Sequence, residues 1–410
     1  MDKPLKGIKV LDLSTFVAAP VCCRLLADLG ADVIKIERPE GDGWRLTGIN
    51  YVPSRFSKDE NPVFDIYNAG KKMIALDMKT PEGSTIFHQL LSQADVFVTN
   101  NREKALKRLG ADYETLKGKY PRLIYAQVTG FGAKGPDADT PAFDTTAFWS
   151  RTGFMRDMAV VGDDGSYNPT YPPSGMGDTV TAYLLLSQIN AALYQRLSTG
   201  RGQRVEACLF HTGIFTMGTM QITNQRPWGR QYPTYRYEHS SPGGYYECAD
   251  GEWIYIATGM VLKLLGQLAN ATGRLDVLED PRFNTVEGRN AHKKELYEIF
   301  KQEFRKKPLK EWLAIAKDLD FAAMPYNHFG DLAEDEQAWA NDFLERITFR
   351  SGNTDVMPRS PLHMESVQDL QTVPAPYCGG DTVEVLRGLG YGDEEIRRLS
   401  DANVVLIAES

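Results

Sequence analysis

Residues 8–37 read IKVLDLSTFVAAPVCCRLLADLGADVIKIE, and this stretch decides the fold. Ile8–Leu13 is an apolar, β-branched run that predicts a strand. Pro20 suits the first turn of a helix, Val21–Leu29 carries its apolar stripe, and Gly30 stops it. Asp32–Glu37 predicts a second strand. Strand, helix and strand in this span form the unit of a parallel sheet with a right-handed crossover.

Working outward, Met73–Asp77, Val96–Thr99 and Leu123–Val128 predict further strands. A helix from Pro81 to about Ala94 and a short one over Asn101–Leu109 fall between them. This start predicts a doubly wound α/β domain. Residues 131–178, rich in Gly, Pro, Asp and Thr, read as site-forming loops. Val180–Leu197 predicts a long helix and Val205–Leu209 a strand. Near residue 225 the composition turns aromatic, Pro- and Gly-rich. A short strand pair about Asp250-Gly251 and helices over Val261–Thr272 and Lys293–Arg305 follow. From 331, helices and Pro-rich connectors are expected. The expected division is 1–225 as the first part of a large domain, 226–330 as a small α/β domain, and 331–410 returning to the large one.

The 410 residues carry a formal net charge of −8, which argues against a nucleic-acid binder. No apolar run is long enough to span a membrane, and no signal segment precedes the first strand, so a cytoplasmic protein is expected. The five cysteines (22, 23, 208, 248 and 378) form no CxxC pair, and the six histidines form neither HxH nor HExxH, so no metal site is expected. The turn after the first strand lacks GxGxxG, which disfavours NAD, and a phosphate-cradling P-loop is also missing.

Four groups of residues have the types that chemistry needs. Ser174-Gly-Met-Gly-Asp178 puts a carboxylate where the long helix begins. Asp178 reads either as an N-cap or as a covalent nucleophile whose anion the helix dipole favours. Lys35, Arg38, Lys71, Lys72, Lys79, Arg102, Lys104, Lys107 and Arg108 cluster around the strand ends, as solvated surface or as a site for a phosphate-bearing ligand. Asp144, set between aromatics in Phe143-Asp-Thr-Thr-Ala-Phe148, reads as a second site carboxylate or as a helix cap. The aromatic and Gly-rich stretch Tyr235–Tyr246 reads as a surface loop or as a lid that excludes water.

In order and spacing, Leu5–Asp12, Gly30–Arg38, Leu76–Gly83, Gly177-Asp178 and Thr199–Gln203 resemble the class III CoA-transferases, the CaiB/BaiF or formyl-CoA transferase-like family. The resemblance covers nearly the whole chain. Asp59–Pro62, Phe143–Phe148 and Asp335–Phe343 are similar to members that move CoA onto (R)-2-hydroxy acids such as 2-hydroxyisocaproate and phenyllactate. The resemblance implies a Rossmann-like doubly wound large domain plus a smaller α/β domain, in an interlocked homodimer. It implies acyl-CoA and carboxylic acid substrates, with coenzyme A as a substrate and neither metal nor NAD. Asp178 then matches the nucleophile, which would form an acyl anhydride and an aspartyl-CoA thioester, and Asp144 stands beside it. Ala18, Arg38, Leu76, Lys79, Asn100 and Arg108 match positions that contact CoA. Gly243 and Gly244 fall at the lid. Backbone N–H groups near Gly177 and the lid glycines are expected to stabilise oxyanions.

Val17 stands where formyl-CoA transferase has Gln, which suits a larger, less polar acid than oxalate. Asn101 replaces an aromatic, and Thr179 follows Asp178 where the hydroxy-acid enzymes often have His. Two alternatives remain: a 2-methylacyl-CoA racemase, for which Phe143 leaves the second base missing, and a non-catalytic acyl-CoA-binding protein, against which Asp178 argues.

Overall fold

The computed structural model describes residues 2–51, 57–162, 164–173, 175–226, 229, 231, 232, 234, 235, 238, 242–257, 259–367 and 370–408. The chain divides into two compact units, one of 1–154, 172–221 and 336–410, the other of 155–171 and 222–335. The short strands Val160–Val161 and Thr234–Tyr235 pair in parallel, which ties 155–171 to the second unit.

The first unit is built on β1 (Lys9–Leu13), β2 (Asp32–Glu37), β3 (Lys72–Leu76), β4 (Val96–Thr99) and β5 (Ile124–Thr129). Arg204–Cys208 adds a parallel edge beside β5, and Val405–Leu406 an antiparallel edge beside β3. The seven strands run Val405–Leu406, β3, β2, β1, β4, β5, Arg204–Cys208. Strand side chains alternate between faces, so the sheet carries two apolar layers. Val10, Val33, Val98 and Ala126 pack with Cys22 and Leu25 of the helix Ala18–Asp28 and with Leu185 and Ile189 of the long helix Met176–Thr199. Leu11, Ile74, Phe97 and Tyr125 pack on the other face with Phe87, Leu90, Leu386 and Leu399.

The helix after β3 shows local coding at work. Thr80 caps it, accepting the Gly83 N–H at 3.0 Å, and Pro81 fills its first turn. Among the elements not expected are a helix over Tyr113–Lys119, and the hairpin of Leu344–Thr348 with Thr354–Pro358, where helices and connectors were anticipated.

The second unit holds a three-stranded antiparallel sheet, with Trp253–Ile256 between Gly244–Glu247 and Ala323–Pro325. The expected pair about Asp250-Gly251 is its first hairpin, and Ala323–Pro325 is the added strand. Tyr246, Phe300, Phe304 and Trp312 fill its core, the last from an unexpected helix over Leu309–Asp318.

Candidate active site

In the doubly wound sheet β1 pairs with β2 on one side and β4 on the other, so the connections leave in opposite directions. Ligands bind at such a switch point, outside the carboxyl ends of the strands. The loops leaving β1 and β4 meet there. Asn100 clamps them: its Nδ2 donates to the Thr15 carbonyl at 2.7 Å, and its Oδ1 accepts the Thr15 N–H at 3.0 Å. A cavity of about 580 Å³ opens beside this clamp, with Phe16, Val17, Ala18, Asn100, Phe143 and Asp178 in its wall. A second, of about 140 Å³, is walled in part by Arg38, Leu76 and Lys79. The two share Thr15 and Asn101.

Asp178 is not the N-cap. The long helix starts four residues before the expected Val180, at Met176, and its N-cap is Gly175 in the left-handed region at φ 80° with no side-chain cap. Asp178 is the third helical residue. The capping falls to Asp144, whose Oδ2 accepts the Gly175 N–H at 3.1 Å. A Cβ on Gly177 would lie 2.5 Å from Cγ of Phe148, so only glycine lets the first turn settle on that ring. Ser174 lies outside the described residues.

Burial, then the Asp144 charge, push the Asp178 pKa up to about 7. The dipole-stabilised anion expected of a helix start is thus outweighed by desolvation. Burial also raises Asp144, while the amides of Thr145, Gly175 and Gly177 hold it down.

The basic cluster disperses. Lys35 is fully buried, 2.9 Å from Asp42 Oδ2, and donates to the Ser14 carbonyl at 2.6 Å. Lys71 is fully enclosed as well, 2.9 Å from Asp12 and bonded to the Pro20 carbonyl and Asn68. Neither can meet a ligand phosphate. Lys72 begins β3 at the opposite end and pairs with Glu384 at 3.2 Å. Arg38 and Lys79 stay exposed in the wall of the smaller cavity, and Arg102 and Lys107 in that of the larger. Arg108 is exposed in the last turn of Glu103–Leu109; its neighbour Leu109, not Arg108 itself, reaches the smaller cavity.

Gly243 and Gly244 belong to the second unit and are buried. Gly244 opens a strand and pairs with Ile256 in the ladder. Residues 236, 237 and 239–241 of that stretch lie outside the described residues.

Sequence reasoning missed Phe16 and Asp42. Phe16 takes a left-handed φ of 64°. The Asp42 carboxylate accepts its N–H at 3.1 Å. No local pattern announces either feature.

Among the described residues no helix is long and apolar enough to cross a membrane. No group of three or more His, Cys, Asp or Glu side chains among them gathers as metal ligands would.

The chain belongs to CoA-transferase family III, whose sequence model matches residues 5–382. It is 41% identical over 402 residues to (R)-2-hydroxy-4-methylpentanoate CoA-transferase of Clostridioides difficile, covering 98% of this chain and 99% of that protein. It is 37% identical over 407 residues to cinnamoyl-CoA:phenyllactate CoA-transferase of Clostridium sporogenes, covering 98% and 97%. The crystal structure of a CAIB/BAIF family protein from Brucella suis superposes with a TM-score of 0.80 at 27% identity, over 95% of this chain and all of that one. The enzyme is thus a family III CoA-transferase on a mixed α/β fold.

Proposed function

We propose that this enzyme moves CoA from an acyl-CoA to an (R)-2-hydroxy acid, with Asp178 as the nucleophile. One observation carries the assignment: a carboxylate in the wall of the cavity at the sheet's switch point, at the start of the long helix. The 2-hydroxy acids named for the two relatives support the acceptor class.

The Asp178 carboxylate attacks the donor thioester carbonyl, giving an acyl-aspartyl anhydride and releasing CoA thiolate. The thiolate attacks the Asp178 carbonyl, giving an aspartyl-CoA thioester and the free donor acid. The acceptor carboxylate then displaces the thiolate, forming a second anhydride. The thiolate attacks the acceptor carbonyl of that anhydride, which yields the new acyl-CoA and restores Asp178. Bonds made and broken balance at each step, so no ATP is needed. The nucleophile is the anion, so turnover rises with pH through about 7.

In this reading the exposed Arg38 and Lys79 face CoA phosphates beside Leu76, and Arg108 lies at the margin. Ala18 and Asn100 border the path to Asp178. The working form is a cytoplasmic homodimer. Tyr194 and Leu197, about four-fifths exposed on the long helix, support a covered face, and light scattering should give twice the 45.9 kDa of the chain.

The test is CoA exchange followed by mass spectrometry, with isocaproyl-CoA or cinnamoyl-CoA and a pool of 2-hydroxy acids, oxalate, formate and carnitine. A new 2-hydroxyacyl-CoA is expected, with transfer lost in Asp178→Ala. Full activity in Asp178→Asn, without reversion to Asp, would refute the nucleophile.

A further inference from the structure

We propose that Phe16 and Phe143 form the surface that selects the acceptor by its side chain; this rests on the acceptor class proposed above. The two rings meet edge to face, with centroids 5.4 Å apart at 82°. Both stand in the wall of the cavity that holds Asp178. Phe143 is 56% exposed, a large apolar ring left open within that cleft.

Two connections hold the rings near the reacting turn. Phe143 precedes Asp144, whose carboxylate binds the Gly175 N–H, and Gly175 caps the helix that starts with Met176-Gly177-Asp178. Phe16 precedes Val17, whose Cγ1 lies 3.6 Å from where a Cβ on Gly175 would stand. Both rings are thus tethered to the same helix start.

Phe16 is also held against its own preference. A bulky residue at φ 64° is strained and persists only where its surroundings fix it. Here the Asp42 carboxylate holds the Phe16 N–H, and buried Lys35 holds both Asp42 and the Ser14 carbonyl. Strain of this kind collects where a side chain must be aimed. Two aromatic edges set at right angles offer an apolar corner. A branched alkyl or benzyl group on C2 of the acceptor gains from burial there, and a methyl group gains little.

The experiment compares kcat/KM for 2-hydroxy-4-methylpentanoate, phenyllactate and lactate, with one donor, isocaproyl-CoA. In Phe143→Ala the ratio of each bulky acid to lactate should fall about tenfold, the scale of losing part of one apolar contact. Phe16→Gly relieves the left-handed φ, so it should fold, and it should lower the same ratios. Unchanged ratios in both variants, while the unaltered enzyme transfers CoA to the bulky acids, would overturn the selector and leave the acceptor class intact. No transfer to any of the three acids by the unaltered enzyme would overturn the acceptor class, and the selector with it.

Discussion

Asp144 both caps the helix that carries Asp178 and raises the pKa of Asp178 through its own negative charge. One carboxylate therefore sets the position and the protonation of the other. Burial is the larger cause of the shift, and the Asp144 charge adds to it.

Replacing Asp144 by Asn separates the two effects. The Asn oxygen can still accept the Gly175 N–H, but the neighbouring charge is gone. The Asp178 anion becomes easier to form, so the acidic limb of the kcat profile should move below its starting midpoint near pH 7. A pH-rate series on the two proteins checks this; an acidic limb that stays put or moves upward would show that Asp144 does not act on Asp178 by charge.

Gly177→Ala tests the packing under the nucleophile. The new methyl carbon would stand 2.5 Å from Phe148 Cγ, so the first turn must lift or the ring must shift. Overpacking of this kind costs about 1–3 kcal/mol. Thermal melting should show that loss, and kcat should fall further than the melting point explains, because Asp178 is the next residue. A variant with unchanged stability and kcat would mean the turn has room to spare.

The buried Lys71–Asp12 pair, at 2.9 Å, underlies the loop that follows β1. Lys71→Met leaves Asp12 with its Ser14 bond and the more distant Lys35 charge. Breaking a buried pair from one side costs about 3–5 kcal/mol, so urea unfolding should move by that scale. The double variant Asp12→Asn/Lys71→Met should recover much of it, since no lone charge remains. A double variant as unstable as the single one would show that packing of the lysine stem, and not its charge, is what counts.

The sheet was the most legible part. β2 and β4 have the bounds expected from their β-branched runs, because central parallel strands are buried on both faces and read as apolar blocks. The long helix was legible from Val180 onward but not at its start. Gly175 and Gly177 look like loop residues, and the cap comes from Asp144, 31 positions away. The lysines misled for a related reason. Lys35 and Lys71 carry the charge a phosphate would want, and only the folded chain shows Asp42 and Asp12 beside them. At Asp178 the local pattern left cap and nucleophile open; the likeness to a family, and not spacing, favoured the second. The strain at Phe16 has no sequence signature, since a phenylalanine predicts no left-handed turn.

The edge of β3 has one further consequence. Its Met73 N–H donates to Asp381 at 2.7 Å, a partner 308 residues further along, and Val405–Leu406 then pairs with its outer side. At roughly 5–20 residues per second, a ribosome needs on the order of half a minute to travel that distance. Throughout that time the strand shows a bare, sticky border to the crowded cell. The nascent enzyme is therefore most exposed to chaperones, and to other chains like itself, well after the segments that form the catalytic crevice have been synthesised.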